Sequence, residues 1–271
     1  MAALFPADCR ICGKSLTTFS RLPVCPECLE STQPMRVPSC AICGERLFSA
    51  TSLMVHMDAS PSNETPICGP CRHQPPEFTR AAAYGSYDGA LRELIHLLKY
   101  QGVRPASTVL GGMLARALLA FSGDFGEVAP IAVPVPLHSS KLRSRGFNQS
   151  EVVARVALKH FRTARLQRLE LNTRVLSRVR RTQSQIGMTH AQRSENVHGA
   201  FAVLRSDEIA GRDVLLLDDV LTTGTTANEC ARVLKQSGAE QVFVATVARL
   251  FSPQPRQMPE SGQTRSMQAH A

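Results

Sequence analysis

From residue 78 onward the sequence predicts an α/β protein, a mostly parallel sheet flanked by helices, behind a small cysteine-rich module. Three observations predict it. Short apolar runs of strand length alternate with stretches of helical spacing, the pattern of repeated βα units. Val214-Leu215-Leu216-Leu217 is a continuous apolar run, as in strands buried on both faces, and it leads through a glycine-containing loop into a helix. Eight of the nine cysteines fall within the first 71 residues, in a stretch too poor in apolar residues to build a core unaided.

The elements follow in order. Residues 1–77 are rich in Cys, Pro and Ser, and Gln74-Pro75-Pro76 reads as a linker. Ala81 to Tyr87 reads as a strand. Leu91, Leu94, Ile95, Leu97 and Leu98 form one apolar helix face, with Gly102 as its stop. A second helix fits Ser107 to Phe121. Ile131 to Pro136 reads as a short buried strand whose prolines force an extended exit. Helix is expected again at Ser150–Phe161, and strands at Val175–Val179 and near Phe201–Leu204. The run at Val214 adds a strand, Ala227 to Lys235 a helix, and Gln241 to Ala248 the last strand. Residues 252–271, rich in proline, glutamine, serine and methionine, are expected to be a disordered tail.

The cysteines form four Cys-x-x-Cys pairs: Cys9/Cys12, Cys25/Cys28, Cys40/Cys43 and Cys68/Cys71. In Cys9-Arg-Ile-Cys12-Gly13 and Cys40-Ala-Ile-Cys43-Gly44, the glycine lets backbone amides turn toward the thiolates, as in a zinc knuckle. Two pairs supply the four soft ligands of one closed, structural Zn²⁺ site, so one or two zinc ions are expected. Sequential pairing is favoured, with a cross-braced pairing left open. A disulfide framework needs an oxidising compartment, whereas Met1 to Asp8 has neither a basic start nor an apolar core of signal-peptide length. No run of about 18 apolar residues is present, so no membrane span and a cytoplasmic location are expected.

The most informative stretch runs from Val214 to Thr226. Asp218 and Asp219 end the apolar strand, where open α/β sheets place ligands. Carboxylates accept hydrogen bonds from sugar hydroxyls. Thr222, Thr223, Gly224, Thr225 and Thr226 then lead into a helix whose N-terminal N–H groups suit a phosphate. This string resembles the phosphoribosyl pyrophosphate (PRPP) motif of type I phosphoribosyltransferases. The resemblance implies that Asp218 and Asp219 face the ribose 2′- and 3′-hydroxyls and a hydrated Mg²⁺, and that Thr222 to Thr226 wrap the 5′-phosphate. Thr222 stands where several purine enzymes of that class carry an acidic general base, which argues against purine salvage.

The net charge is +9, but thirteen Lys and Arg against Glu151 and Glu170 lie between His138 and Arg193, so the surplus comes from this stretch. It contains two basic loops. The first, Pro134 to Gln149, offers Lys141, Arg143 and Arg145 with a pivot at Gly146, suited to a pyrophosphate. The second, Arg178 to Arg193, is a candidate lid that would bring Arg180 and Arg181 to a leaving group.

Taken in order, the cysteine module, Lys99-Tyr-x-Gly102, Pro-Val-Pro-Leu, Arg145-Gly-Phe-Asn-Gln149, Arg180-Arg-Thr-x-x-Gln185, Arg193-x-x-Asn196-Val-x-Gly199-Ala-Phe201 and the PRPP motif resemble the ComF family over roughly residues 9–250. The resemblance implies a type I phosphoribosyltransferase-like domain over 78–251, PRPP with Mg²⁺ as ligand, and a role in competence, DNA uptake and utilisation. Possible partners are single-stranded DNA and the DNA-uptake machinery. The expected activity is phosphoribosyl transfer to an unidentified acceptor. The alternative is a non-catalytic factor that binds single-stranded DNA or senses PRPP, although only three tyrosines and no tryptophan speak against a broad stacking platform.

Overall fold

The computed structural model describes residues 8–17, 20–47, 66–125, 128–163, 169–183 and 187–252, without the side chains of 161–163 and 190. The expected tail from residue 253 on, residues 184–186 of the second basic loop and the first seven residues lie outside them.

Five parallel strands form the sheet: β1 (Arg80–Ser86), β2 (Ile131–Pro134), β3 (Glu170–Leu171), β6 (Val214–Leu221) and β7 (Val242–Arg249), in the spatial order β1-β7-β6-β2-β3. The continuous apolar runs are explained by burial on both faces: every residue of β7 is buried. Strand alternation divides the side chains between two cores. Leu215, Leu217, Phe243 and Ala245 face one, packed against α3 (Gly89–Gln101), α4 (Ala106–Leu118) and α6 (Gln149–Thr163). Val214, Leu216, Val242 and Val244 face the other, where α8 (Thr225–Gln236) buries Cys230, Ala231 and Leu234. The α3 helix stops at Gly102, whose left-handed φ of 65° is the conformation glycine adopts without strain. Gly111 lets α4 and α6 touch, since a Cβ there would stand 2.4 Å from Val156 Cγ1.

Several expectations are corrected. The first basic loop contains a helix, α5 (Ser139–Arg145), begun by His138, whose ring nitrogen accepts from the Ser140 N–H, and ended by Gly146 at φ 77°. The expected strands near 175 and 201 are β4 (Leu176–Arg178) and β5 (Phe201–Val203), which pair antiparallel with each other, apart from the main sheet. The intervening segment carries α7 (His190–Val197), started by a Thr189/Gln192 capping box that sequence patterning missed. Two-residue β3 was also missed, being too short for any period to register. Asp218 and Asp219 do not end their strand. The β6–β2 pairing stops at Leu217, but pairing with β7 continues to Leu221, so the acids lie in a notch left by the shorter β2.

The cysteine segment packs on the domain in two similar units. Each first pair sits in a knuckle closed by matching hydrogen bonds, Cys9 N–H to Lys14 O and Gly13 N–H to Cys9 O, then Cys40 N–H to Glu45 O and Gly44 N–H to Cys40 O. Each second pair opens a one-turn helix, α1 (Pro26–Glu30) after Cys25 and α2 (Gly69–His73) after Cys68. The second knuckle adds to the edge of β1 through the Ala81 N–H to Ile42 O bond of 2.7 Å.

Candidate functional site

A cavity of about 280 Å³ opens at the carboxyl ends of β2 and β6, where parallel sheets leave ligand crevices. Of the residues expected from sequence, Asp218, Asp219, Thr222, Thr226, Lys141 and Arg145 line it; so do Tyr87, Lys99, Tyr100, Gln149, Ser150, Arg178 and Thr182.

The acid pair forms the floor. Asp219 lies on the side of Leu215 and Leu217, toward α3 and α6. There it forms an ion pair with Lys99 from the last turn of α3 and accepts from Gln149 Nε2 at 3.4 Å. Burial alone would raise the Asp219 carboxyl, but the Lys99 charge and hydrogen bonds hold it below the usual carboxylate range. Lys99, in turn, would be depressed by burial; Asp219 lifts it above the usual lysine value. Asp218 accepts from Ser150 Oγ at 2.6 Å and from the Asp219 backbone N–H at 2.9 Å. Burial, followed by the neighbouring Asp219 charge, pushes Asp218 up to about 7. The two carboxylates are thus unequal, one fixed as an anion by Lys99 and the other titrating near neutrality.

The threonine loop turns through Gly224 at φ 79° into α8, with Thr223 Oγ1 and Thr225 Oγ1 3.2 Å apart. Twelve residues of helix stand behind that turn, and Thr222 before it and Thr226 in its first turn share the cavity lining with the two carboxylates. Thr223, Gly224 and Thr225 sit in the turn but outside the cavity lining, as does Gly146, which caps α5.

The basic residues separate into two sets. Lys141 and Arg145 on α5 and Arg178 on β4 line the cavity, and among the described residues none of them is ion-paired to a carboxylate. Arg143, Arg180 and Arg181 are exposed and lie outside the lining; the Arg180 guanidinium donates to the carbonyls of Asn196 at 3.1 Å and His198 at 2.6 Å. Lys99, Gln149 and Ser150 are not singled out by the sequence as site residues, although Lys99 opens the Lys-Tyr-x-Gly stretch, Gln149 ends Arg-Gly-Phe-Asn-Gln and Ser150 follows it.

The cysteines assemble in the sequential pairing: Cys9, Cys12, Cys25 and Cys28 in one group, Cys40, Cys43, Cys68 and Cys71 in the other, with all sulfurs of a group within 4.8 Å of one another. Zn–S bonds of about 2.3 Å at tetrahedral angles place sulfurs about 3.8 Å apart. The observed separations are 3.9 Å for Cys9–Cys28, 3.7 Å for Cys12–Cys25 and 3.6 Å for Cys43–Cys68. Four thiol ligands at that spacing fit Zn²⁺, and each group could hold one ion.

The family model of the phosphoribosyl transferase domain matches residues 131–268. "Competence protein F" of Haemophilus influenzae is 30% identical over 184 residues, covering 67% of this chain and 78% of that protein. This chain belongs to the phosphoribosyltransferase-domain proteins of the ComF family. Another relative, "DNA utilization protein YhgH" of Salmonella typhimurium, is 28% identical over 211 residues, 78% of this chain and 89% of that protein. Among solved structures, a hypoxanthine phosphoribosyltransferase from Staphylococcus aureus aligns over 59% of this chain and 77% of its own at 13% identity, with a TM-score of 0.33. The family's domain thus includes β2, the acid pair, the threonine loop and the cationic wall. Among the described residues no helix is long and apolar enough to cross a membrane.

Proposed function

We propose that this ComF-family chain binds PRPP with Mg²⁺ and transfers its phosphoribosyl group to an acceptor, in the service of DNA uptake or utilisation. The observation that carries the reading is one cavity that combines two carboxylates, a threonine-lined helix N-terminus and three cations, Lys141, Arg145 and Arg178, that have no carboxylate partner among the described residues. Asp218 accepts from the ribose hydroxyls, while Asp219, anchored by Lys99, keeps the floor anionic. The turn from Thr222 to Thr226 and the head of α8 take the 5′-phosphate. Lys141 and Arg145 lie where the diphosphate extends. When the C1–O bond breaks, its electron pair leaves with pyrophosphate and the acceptor supplies the pair for the new bond to C1. The buried carboxylates stabilise the positive character of the sugar, and the cations take up the leaving charge. The hard oxygen donors fit Mg²⁺, which supplies charge neutralisation on the diphosphate when bound. Residues 1–77 serve as a zinc-braced module beside the 78–251 domain.

Calorimetry of the full chain with PRPP and Mg²⁺ tests this reading, with Asp218→Asn/Asp219→Asn as the control. Saturable heat in the wild type that the double variant loses supports it; equal affinity in both rejects it. Pyrophosphate release on adding candidate acceptors distinguishes transfer from sensing.

Tyr100 favours a second reading, binding of single-stranded DNA. Its ring is 70% exposed at the cavity mouth, with the Arg145 guanidinium carbon 5.7 Å from its centroid. Such a ring can stack a base. No mobility shift with a single-stranded oligonucleotide at low salt would retire this reading.

A further inference from the structure

The antiparallel β4–β5 pair lies outside the parallel sheet yet sends one side chain, Arg178, into the lining of the cavity. That side chain is held in place. Its guanidinium donates to the Thr182 hydroxyl, and its central carbon lies 5.2 Å from the Phe201 ring centroid. The carrier is held as well: Gly199 N–H, just before β5, donates to buried Glu229 on α8 at 2.7 Å. Glu229 is itself gripped by both Arg232 Nε and Nη2, at 2.8 and 2.6 Å. The helix whose head forms the threonine turn therefore also fixes the unit that carries Arg178.

The charges around Arg178 are not balanced. Among the described residues it has no carboxylate within ion-pair distance, and neither do Lys141 and Arg145 beside it in the lining. Burial, then the Arg178 charge ahead of any other, depresses Lys141 below the ordinary lysine value. Cations crowded in a partly buried pocket repel one another until an anion sits between them. A guanidinium fork suits two phosphate oxygens at once. Arg180, by contrast, is exposed outside the lining and already commits its Nη2 to two backbone carbonyls.

We infer that Arg178, rather than Arg180 or Arg181, is the residue through which the β4–β5 unit grips the diphosphate of the bound sugar phosphate. This inference rests on the PRPP reading of the cavity.

The test is calorimetry of the full chain with three probes, each with Mg²⁺: PRPP, ribose 5-phosphate and inorganic pyrophosphate. Arg178→Gln should weaken PRPP and pyrophosphate about tenfold or more, the loss expected for charge-assisted hydrogen bonds, and leave ribose 5-phosphate at wild-type affinity. Arg178→Lys should recover part of the loss, and Arg180→Gln should bind all three probes as the wild type does. Wild-type PRPP affinity in Arg178→Gln would overturn the inference, as would an equal loss for ribose 5-phosphate, which would mark a merely structural role. If the wild type bound pyrophosphate but not PRPP, the PRPP reading would fail by itself; loss of that pyrophosphate binding in Arg178→Gln would still uphold the grip, and its retention would end it.

Discussion

Lys99, in the last turn of α3, forms an ion pair with Asp219 on β6, and both side chains are largely buried, at 16% and 5% exposure. The pair couples a helix at one edge of the site to the floor of the cavity. It also explains how a buried Asp219 can lie next to a half-buried Asp218, since one of the two charges is matched.

Removing one member of such a pair leaves the other charged and desolvated. Lys99→Met should therefore destabilise the fold by about 3 kcal/mol or more, whereas Lys99→Met/Asp219→Asn should recover a large part of the loss. Urea denaturation of the wild type, both single variants and the double variant measures the coupling. Additive losses would refute the ion pair as a unit.

Asp218 gives the site a pH dependence of known sign. Its folded pKa, raised to about 7, exceeds the unfolded value, so the folded state holds the extra proton. Its contribution to stability is therefore greatest below about pH 4 and declines as pH rises toward 7. Binding of sugar hydroxyls calls for the carboxylate, so PRPP–Mg²⁺ affinity should climb through about pH 7 and level off above it. Asp218→Asn should flatten both profiles. Calorimetry and thermal melting across that range check them.

Gly111 marks the closest approach of α4 to α6. A Cβ there would lie 2.4 Å from Val156 Cγ1 and 3.1 Å from the Ala157 backbone nitrogen, so the helices must separate to admit it. Gly111→Ala should cost about 1–3 kcal/mol despite alanine's better helix propensity. Gly112, with no atom of the described residues within 4 Å of its added Cβ, should accept alanine without that loss. Parallel melting curves of the two variants decide it.

Buried Arg249, at the end of β7, donates to Glu45 at 3.1 Å and approaches Cys43 Sγ at 3.7 Å. In the other group the nearby cation is Lys14, exposed and paired with Glu27 at 3.0 Å. If each group holds zinc, Arg249→Gln should weaken one ion of two by about tenfold or more, because outer hydrogen bonds tune metal affinity on that scale. Metal analysis and the kinetics of zinc transfer to a chromophoric chelator report it. Equal acceleration of both ions would contradict the assignment.

The legible part of the site was the part carried by contiguous residues. Asp218 through Thr226 form one strand-turn-helix, and each Cys-x-x-Cys sits in a local turn, so spacing alone placed their side chains near one another. The α5 helix is hidden in the sequence because six of its seven residues, Ser139–Arg145, are polar and the seventh, Leu142, is exposed, leaving no period to detect. Arg178 was passed over for its neighbours because a row of arginines looks alike until pairing with β5 fixes which one turns toward the cavity.

Apolar patterning and motif chemistry within the chain thus settled an α/β sheet, a cysteine module and the acid-threonine turn, all consequences of interactions over a few residues. The tertiary structure alone decided that Lys99 neutralises Asp219, that Arg178 enters the cavity while Arg180 does not, and that β4 and β5 leave the main sheet. Each of those outcomes depends on residues brought together from distant segments by packing, and the desolvation that sets their charges exists only once the core has closed.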